Sequence, residues 1–361
     1  MGELNIKGFD HVGFFVANAK QAAHYYRWAF GFHPVAYQGL ETGARDRTGV
    51  VMKQNDITFV LTSPLDDDSP IGEHVKNHGD GVKDVAFRVD DAEAAWEIAM
   101  ERGAESAYKP VRLEDDNGVV TLSGVKTYGD TIHSFVDRKN YRGPFLPRMA
   151  PLPAGGTSRV GLKHIDHVVG NQEKDCMKPI AEWYERVLGF HRFWSVDDKD
   201  ISTQYSSLRS VVVANSNETV KMPINEPAPG LKKSQIQEFI DYYKGPGVQH
   251  IAMFTDDIVS TVKRLMSRGV EFLTVPRAYY NEVPGRVGSI DEDLEELAKL
   301  GILVDRDENG YLLQIFTQPV QDRPTLFYEI IQRKGSESFG KGNFKALFES
   351  IEREQARRGN L

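Results

Sequence analysis

Two histidines and a glutamate carry the chemistry that this sequence could perform. His167, His250 and Glu329 each sit on a short apolar run of strand length: HIDHVVGN (164–171), GVQHIAMF (247–254) and TLFYEIIQR (325–333). Two imidazoles and one carboxylate are the donor set of a non-haem iron(II) centre that keeps coordination positions open for other ligands. The three residues are far apart in the chain, so no local motif identifies them. Whether they can meet depends on the elements that hold them.

Those elements are written twice. Residues 9–33, FDHVGFFVANAKQAAHYYRWAFGFH, align with 165–191, IDHVVGNQEKDCMKPIAEWYERVLGFH; both begin Asp-His-Val and both end Gly-Phe-His. GVKDVAFRVDDAEAAWEIAMERGAE (81–105) aligns in the same order with GVQHIAMFTDDIVSTVKRLMSRGVE (247–271), keeping the spacing of Gly-Val, Asp-Asp and Arg-Gly. Two matched blocks in one order are a duplication. In each block a strand-length apolar run leads to a turn. A helix follows, with apolar residues at three- and four-residue spacing, such as Ile180, Trp183, Tyr184 and Val187, closed by Gly189. β-rich segments come next, TFVLTS (58–63) in the first copy and LRSVVVAN (208–215) in the second. Each half therefore reads as two βαβββ units. The Pro- and Gly-rich PFLPRMAPLPAGGTS (144–158) suits the join.

The duplication tests the ligand set from within. His167 is matched by His11, His250 by Asp84, and Glu329 by Ser134 once Arg333 is set against Arg138. His133, next to Ser134, points to the opposite face of a strand. The second copy is thus expected to hold metal and the first not. His164 competes with His167 in the same run, but three residues on it faces away, and only His167 keeps the repeated register. His24, His33, His74, His78 and His191 read as helix-end or loop residues.

Composition fits this reading. A chain of 361 residues suggests two domains, and 40% hydrophobic with 27% charged residues is globular. A net charge of −8, with no basic stripe, favours a small-molecule partner over nucleic acid. One cysteine, Cys176, excludes an intrachain disulfide and fits a reducing compartment. No leader peptide and no bilayer-length apolar run are read, so the expected location is cytoplasmic, with no membrane partner.

Paired βαβββ modules with these landmarks resemble the vicinal oxygen chelate superfamily. DHVVGN, SSLRSVVVAN, MPINEPAPG, SQIQEF, GVQHIA, LLQIFT, RPTLFYEIIQR and FGKGNFKALFESIEREQ are similar to its 4-hydroxyphenylpyruvate dioxygenase family. The resemblance covers almost the whole chain and is weakest over Tyr280 to Gly301, where DEDLEELAKLG reads as an acidic surface helix. It implies an α+β fold of two tandem vicinal oxygen chelate domains, each a pair of βαβββ modules forming a half-open barrel, plus a C-terminal helix. Residues 1–150 would be the non-metal domain and 151–361 the iron-binding catalytic domain with a lid helix.

The implied cofactor is Fe(2+), held by His167, His250 and Glu329. The implied reaction takes the 2-oxo acid 4-hydroxyphenylpyruvate and O2 to homogentisate and CO2, in tyrosine and phenylalanine catabolism. Ser210, Asn225, Gln235 and Gln314 are the implied substrate-binding residues. Gln249, Phe316, Phe327, Phe339 and Phe344, with Gln235 and Gln314, are the implied catalytic set. In the C-terminal segment, Gly340 and Gly342 precede a helix with Phe344, Leu347, Phe348 and Ile351 on one face, which suits a lid anchored by Arg358. A homodimer or larger homo-oligomer is also implied. A 4-hydroxymandelate synthase using the same substrate is the nearest alternative, although Pro223 and Phe316 resemble the dioxygenase pattern. A non-catalytic binding member of the superfamily is more remote.

Overall fold

In the computed structural model, residues 3–66, 68–153, 155, 158–196 and 207–360 are described. Ala154, Gly156 and Thr157, within the segment read as a join, lie outside the described residues. The first half contains β1 (Gly8–Phe15), α1 (Ala19–Trp28), β2 (His33–Gln38), β3 (Arg47–Gln54), β4 (Ile57–Pro64) and α2 (Pro70–His78). It continues with β5 (Gly81–Arg88), α3 (Ala92–Glu101), β6 (Ser106–Asp115), β7 (Gly118–Lys126), β8 (Ile132–Asp137) and the short β9 (Ala150–Pro151). The second half contains β10 (Leu162–Asn171), α4 (Met177–Trp183), β11 (His191–Val196), β12 (Ser207–Ala214), β13 (Lys221–Ala228), α5 (Gln235–Tyr243) and β14 (Gly247–Thr255). After it come α6 (Ile258–Ser267), α7 (Arg277–Val287), α8 (Leu294–Leu300), β15 (Leu303–Arg306), β16 (Tyr311–Phe316), β17 (Phe327–Lys334) and α9 (Phe344–Arg357).

Each half forms one mixed sheet, and each sheet is curled into a half-barrel. The orders are β6-β7-β8-β5-β1-β4-β3-β2-β9 and β11-β12-β13-β10-β14-β17-β16-β15. Within each, two βαβββ modules meet along an antiparallel seam, β1 with β5 and β10 with β14, while the flanking pairs β1–β4, β5–β8, β10–β13 and β14–β17 are parallel.

The repeated landmarks mark the points where helices start and stop. Asp91 and Asp257, each from an Asp-Asp pair, are the N-caps of α3 and α6; their carboxylates accept backbone N–H groups of the first turn. The Arg-Gly pairs end the same helices, with Gly103 at φ +86° and Gly269 at φ +85°, a left-handed conformation that glycine adopts without strain. The helix that begins as α4 continues through a π-helical turn, Tyr184–Leu188, and closes on Gly189 at φ +70°.

One apolar core joins both halves, running from Leu4 and Phe14 through Phe59 and Phe87 to Tyr184, Met253 and Tyr328. A second, smaller cluster lies on the other side of the second sheet, where Leu208, Phe316 and Phe327 pack against Leu347, Phe348 and Ile351 of α9. The acidic helix expected over DEDLEELAKLG is α8, capped by Asp293. α7, just before it, was not foreseen; Pro284 stands inside it.

Candidate metal centre and substrate cavity

Strand pairing brings the three predicted ligands together. Ala252 on β14 is paired on one side with His167 of β10 and on the other with Glu329 of β17. Two residues along β14, on the same face, is His250. The methyl of Ala252 leaves room between its neighbours, so the three longer side chains converge above it. The Nε2 atoms of His167 and His250 lie 3.2 and 3.4 Å from Glu329 Oε2, and one donor atom from each residue falls within 4.8 Å of the others. All three side chains are buried.

The hydrogen bonds around this cluster set each imidazole for coordination. His167 Nδ1 donates to Asp166 Oδ1 (2.7 Å), and His250 Nδ1 donates to the side-chain oxygen of Gln249 (3.0 Å). Both Nε2 lone pairs are thereby turned toward the carboxylate, the usual arrangement for metal-bound histidine. Burial would raise Glu329, but the two imidazoles outweigh it and hold its pKa below the ordinary value. Burial likewise would raise Asp166; the Arg333 guanidinium, bonded through Nε and Nη2 at 2.8 Å each, holds it well below the carboxylate range. Burial lowers His250. For His167 burial acts in the same direction, but Glu329 and Asp166 more than compensate and its pKa is raised. These shifts are those of a proton held between imidazole and carboxylate; two imidazoles and an ionised carboxylate converging on one point can exchange that proton for a divalent transition ion.

Above the cluster lies a cavity with mainly apolar walls. His167, His250 and Glu329 line it together with Ser210, Asn225, Gln235, Gln249, Phe316, Phe327, Phe339 and Phe344. Pro223 is also in the wall. Phe327 stacks on His250 (4.8 Å between ring centres, 19°), and Phe316 meets the same imidazole edge-on at 6.1 Å. Phe339 sits edge-on to His167 at 5.1 Å, beneath Arg333.

Gln314 differs from the rest. It shares the face of Phe316 but stands outside the cavity wall, packed beneath Gly340, and its buried Nε2 has no partner. Leu347 and Phe348, from the apolar face expected of the C-terminal helix, also line the cavity, as do Val169, Trp194, Leu208 and Val212, which were not singled out from sequence. Apolar residues give no signal that separates a cavity wall from ordinary core.

The first half shows what became of the other copy. His11 again bonds through Nδ1 to an aspartate, Asp10 (2.8 Å), which again pairs with an arginine, Arg138 (2.7 and 2.8 Å). His11 is paired with Ala86, the counterpart of Ala252. Where the second copy has His250 and Glu329, however, Asp84 accepts the Ser134 hydroxyl and backbone N–H, and Tyr108 donates to that same hydroxyl at 2.6 Å. Here the side chains satisfy one another by direct hydrogen bonds. His133 points to the opposite face, as expected, and bonds to Val85 and Tyr184.

Comparison with known proteins agrees with this duplicated plan. The family pattern described as hydroxyphenylpyruvate dioxygenase, N-terminal, matches residues 2–145. The glyoxalase/bleomycin resistance protein/dioxygenase superfamily pattern matches residues 162–315. The chain is 53% identical to a 4-hydroxyphenylpyruvate dioxygenase from Dictyostelium discoideum, with 99% of this chain and 100% of that one aligned. It is 52% identical to the Xenopus tropicalis protein of the same description, over 100% and 95% of the two chains. Among solved structures, a triple mutant of 4-hydroxymandelate synthase from Streptomyces coelicolor superposes with a TM-score of 0.87 at 33% identity, covering 97% of this chain and 99% of that one.

Proposed function

The chain belongs to the 4-hydroxyphenylpyruvate dioxygenase family, and from that premise we propose that it converts 4-hydroxyphenylpyruvate and dioxygen to homogentisate and carbon dioxide. The observation that carries this reading is the convergence of His167, His250 and Glu329 beneath an aromatic-walled cavity in a chain so similar to those dioxygenases. We assign the metal as Fe(2+), bound by these three side chains. Bound by these side chains, iron(II) would supply dioxygen activation and could accept the carboxylate and keto oxygens of a 2-oxo acid.

The remaining roles follow from the side chains themselves. Phe316 and Phe327 flank the space beside His250 and would hold the aromatic ring of the substrate between apolar surfaces. Ser210, Asn225 and Gln235 offer neutral donors and acceptors that can bind a phenol or carboxylate without competing for the ion. Gln249 fixes the His250 ring. Gln314 stands outside the cavity wall with its unmatched Nε2 donor beneath Gly340, so we assign it to positioning that turn rather than to contact with the substrate. Phe339 and Phe344 cover the cavity and would exclude water from the reacting atoms. We further assign residues 1–150 as the domain without the iron centre and 151–361 as the catalytic domain; the hydrogen-bonded Asp84–Ser134–Tyr108 group, at the position of the second half's cluster, supports the first assignment.

Anaerobic loading with ferrous iron, followed by oxygen uptake and product chromatography with 4-hydroxyphenylpyruvate, tests the proposal. Homogentisate is expected. 4-Hydroxymandelate would instead favour the synthase reading that the structural similarity keeps open. Glu329→Gln should lower turnover by more than about a hundredfold, because removing a ligand should exceed the 10- to 100-fold effects of residues that only support ligands. The variant should retain no stoichiometric iron; full activity in it would exclude the assigned centre.

A further inference from the structure

A second group of side chains of metal-ligating type lies outside the lining of this cavity. His74 and His78 are four residues apart on α2 and so share one helix face, and Asp130 reaches them from the turn between β7 and β8. One donor atom from each lies within 4.8 Å of the others. The same Asp130 oxygen is 2.9 Å from His78 Nε2 and 3.8 Å from His74 Nδ1. From sequence, both histidines read as helix-end or loop residues; in the structure both are buried.

Their surroundings leave coordination capacity unused. His78 Nδ1 donates to the backbone carbonyl of Tyr243, so its Nε2 presents a lone pair toward a carboxylate oxygen, an encounter that only a proton or a cation makes favourable. That outer hydrogen bond is also what orients metal-bound histidines. His74 is 2% exposed, and neither ring nitrogen has a hydrogen-bond partner. Phe15 packs edge-on against His74, and Tyr243 stacks on His78, which fixes both rings. Asp130 is half exposed, giving an ion and a water access from solvent.

We propose that His74, His78 and Asp130 form a second divalent-metal site of the zinc class, with water completing the coordination shell. Two imidazoles and one carboxylate suit a nitrogen-binding transition ion; calcium and magnesium require mostly oxygen donors. The Lys83 ammonium donates to the Asp130 carbonyl, so an ion held by charge alone is disfavoured and imidazole coordination must supply the affinity. The consequence is mechanical. The ion would tie α2 to the β7–β8 turn and, through the Tyr243 carbonyl, to α5 of the second half.

Zinc alone is the probe, with the full-length His167→Ala/His250→Ala protein as the parent so that the first cluster does not compete. At micromolar free zinc this parent should retain one zinc per chain and melt at a higher temperature than without it. Crystals should show anomalous density at the zinc edge among His74, His78 and Asp130. Adding His74→Ala or Asp130→Asn should each weaken binding by at least about tenfold and abolish the thermal shift. Asp130 lies on a half-exposed turn, so its variant keeps the test valid even if His74→Ala does not fold. No retained zinc in the parent, anomalous density elsewhere, or unchanged affinity in the variants would overturn the proposal. None of these readouts depends on turnover.

Discussion

Asp166 connects the ligand cluster to the rest of the protein. One of its oxygens accepts from His167 Nδ1, and both accept from Arg333, whose Nη1 continues to the Ser338 carbonyl at 2.6 Å. Replacing it with asparagine keeps the shape but removes the charge that orients His167. Asp166→Asn should therefore weaken iron binding by about 10- to 100-fold with the fold retained, as read by competition with a chelator and by circular dichroism. Unchanged affinity would mean that the backbone alone orients His167. The cluster of His167, His250 and Glu329 was readable because the chain carries its own control: an Asp-His pair and a following arginine occur in both copies, while Asp84 and Ser134 stand at the other two positions in one. Asp166 lay in plain view as half of that repeated pair. Its role as the acceptor for His167 became visible only once the Arg333 fork was seen to bind it.

Among the elements, α9 supplies one wall of the cavity through Phe344, Leu347 and Phe348. It is tied at both ends. Asp307 accepts the backbone N–H groups of Glu337 and Ser338 near the start of the segment, and Arg358 pairs with Glu238 of α5 at 2.8 Å near its end. Between them, Gly340 at φ +75° reverses the chain directly over Gln314. A Cβ at this position would come within 2.6 Å of Gln314 Nε2. Gly340→Ala should cost about 1–2 kcal/mol of stability from the left-handed backbone alone. It should also lower kcat/KM several-fold by displacing Phe339 and Gln314; a melt and a turnover assay read the two effects separately. If neither changed, the turn would not be setting the lid. The apolar stripe of α9 was legible, but any packing helix shows such a stripe. Its partners, Phe316 and Phe327, place it against the cavity, and these are long-range contacts that periodicity does not encode. α7 escaped notice because RAYYNEVPGRV has no clean stripe and carries Pro284 in its interior.

At the scale of the molecule, the two halves are held together by buried polar pairs set in the shared core. Tyr26 and Tyr328 join hydroxyls at 2.6 Å, so β17 presents Glu329 to the metal cluster and Tyr328 to the first half from opposite faces. Asn215 reaches the Ile6 carbonyl, and the Tyr184 hydroxyl donates to His133 Nε2 at 2.7 Å while His133 Nδ1 donates to Val85. The division into two repeats was legible; this joining was not, because residues such as His133 and Tyr184 look like unremarkable members of their own strand or helix. His133 gives the joint a pH dependence. It is fully buried against Phe87, and burial pushes its pKa down from 6.5 to about 4, with the Val85 carbonyl opposing only in part. Between these values the unfolded chain holds a proton that the native state refuses, so acid favours unfolding. The stability is fully present above about pH 6.5, falls by roughly 1.4 kcal/mol for each pH unit crossed, and levels off below about pH 4. The total is on the order of 3 kcal/mol. His133→Gln removes the titration; although it should be less stable at neutral pH, its stability should fall less steeply across this window. Urea melts of both proteins from pH 7 to 4.5 decide the matter. Parallel curves would mean that His133 accepts a proton in the folded state and that the joint between the halves opens to water.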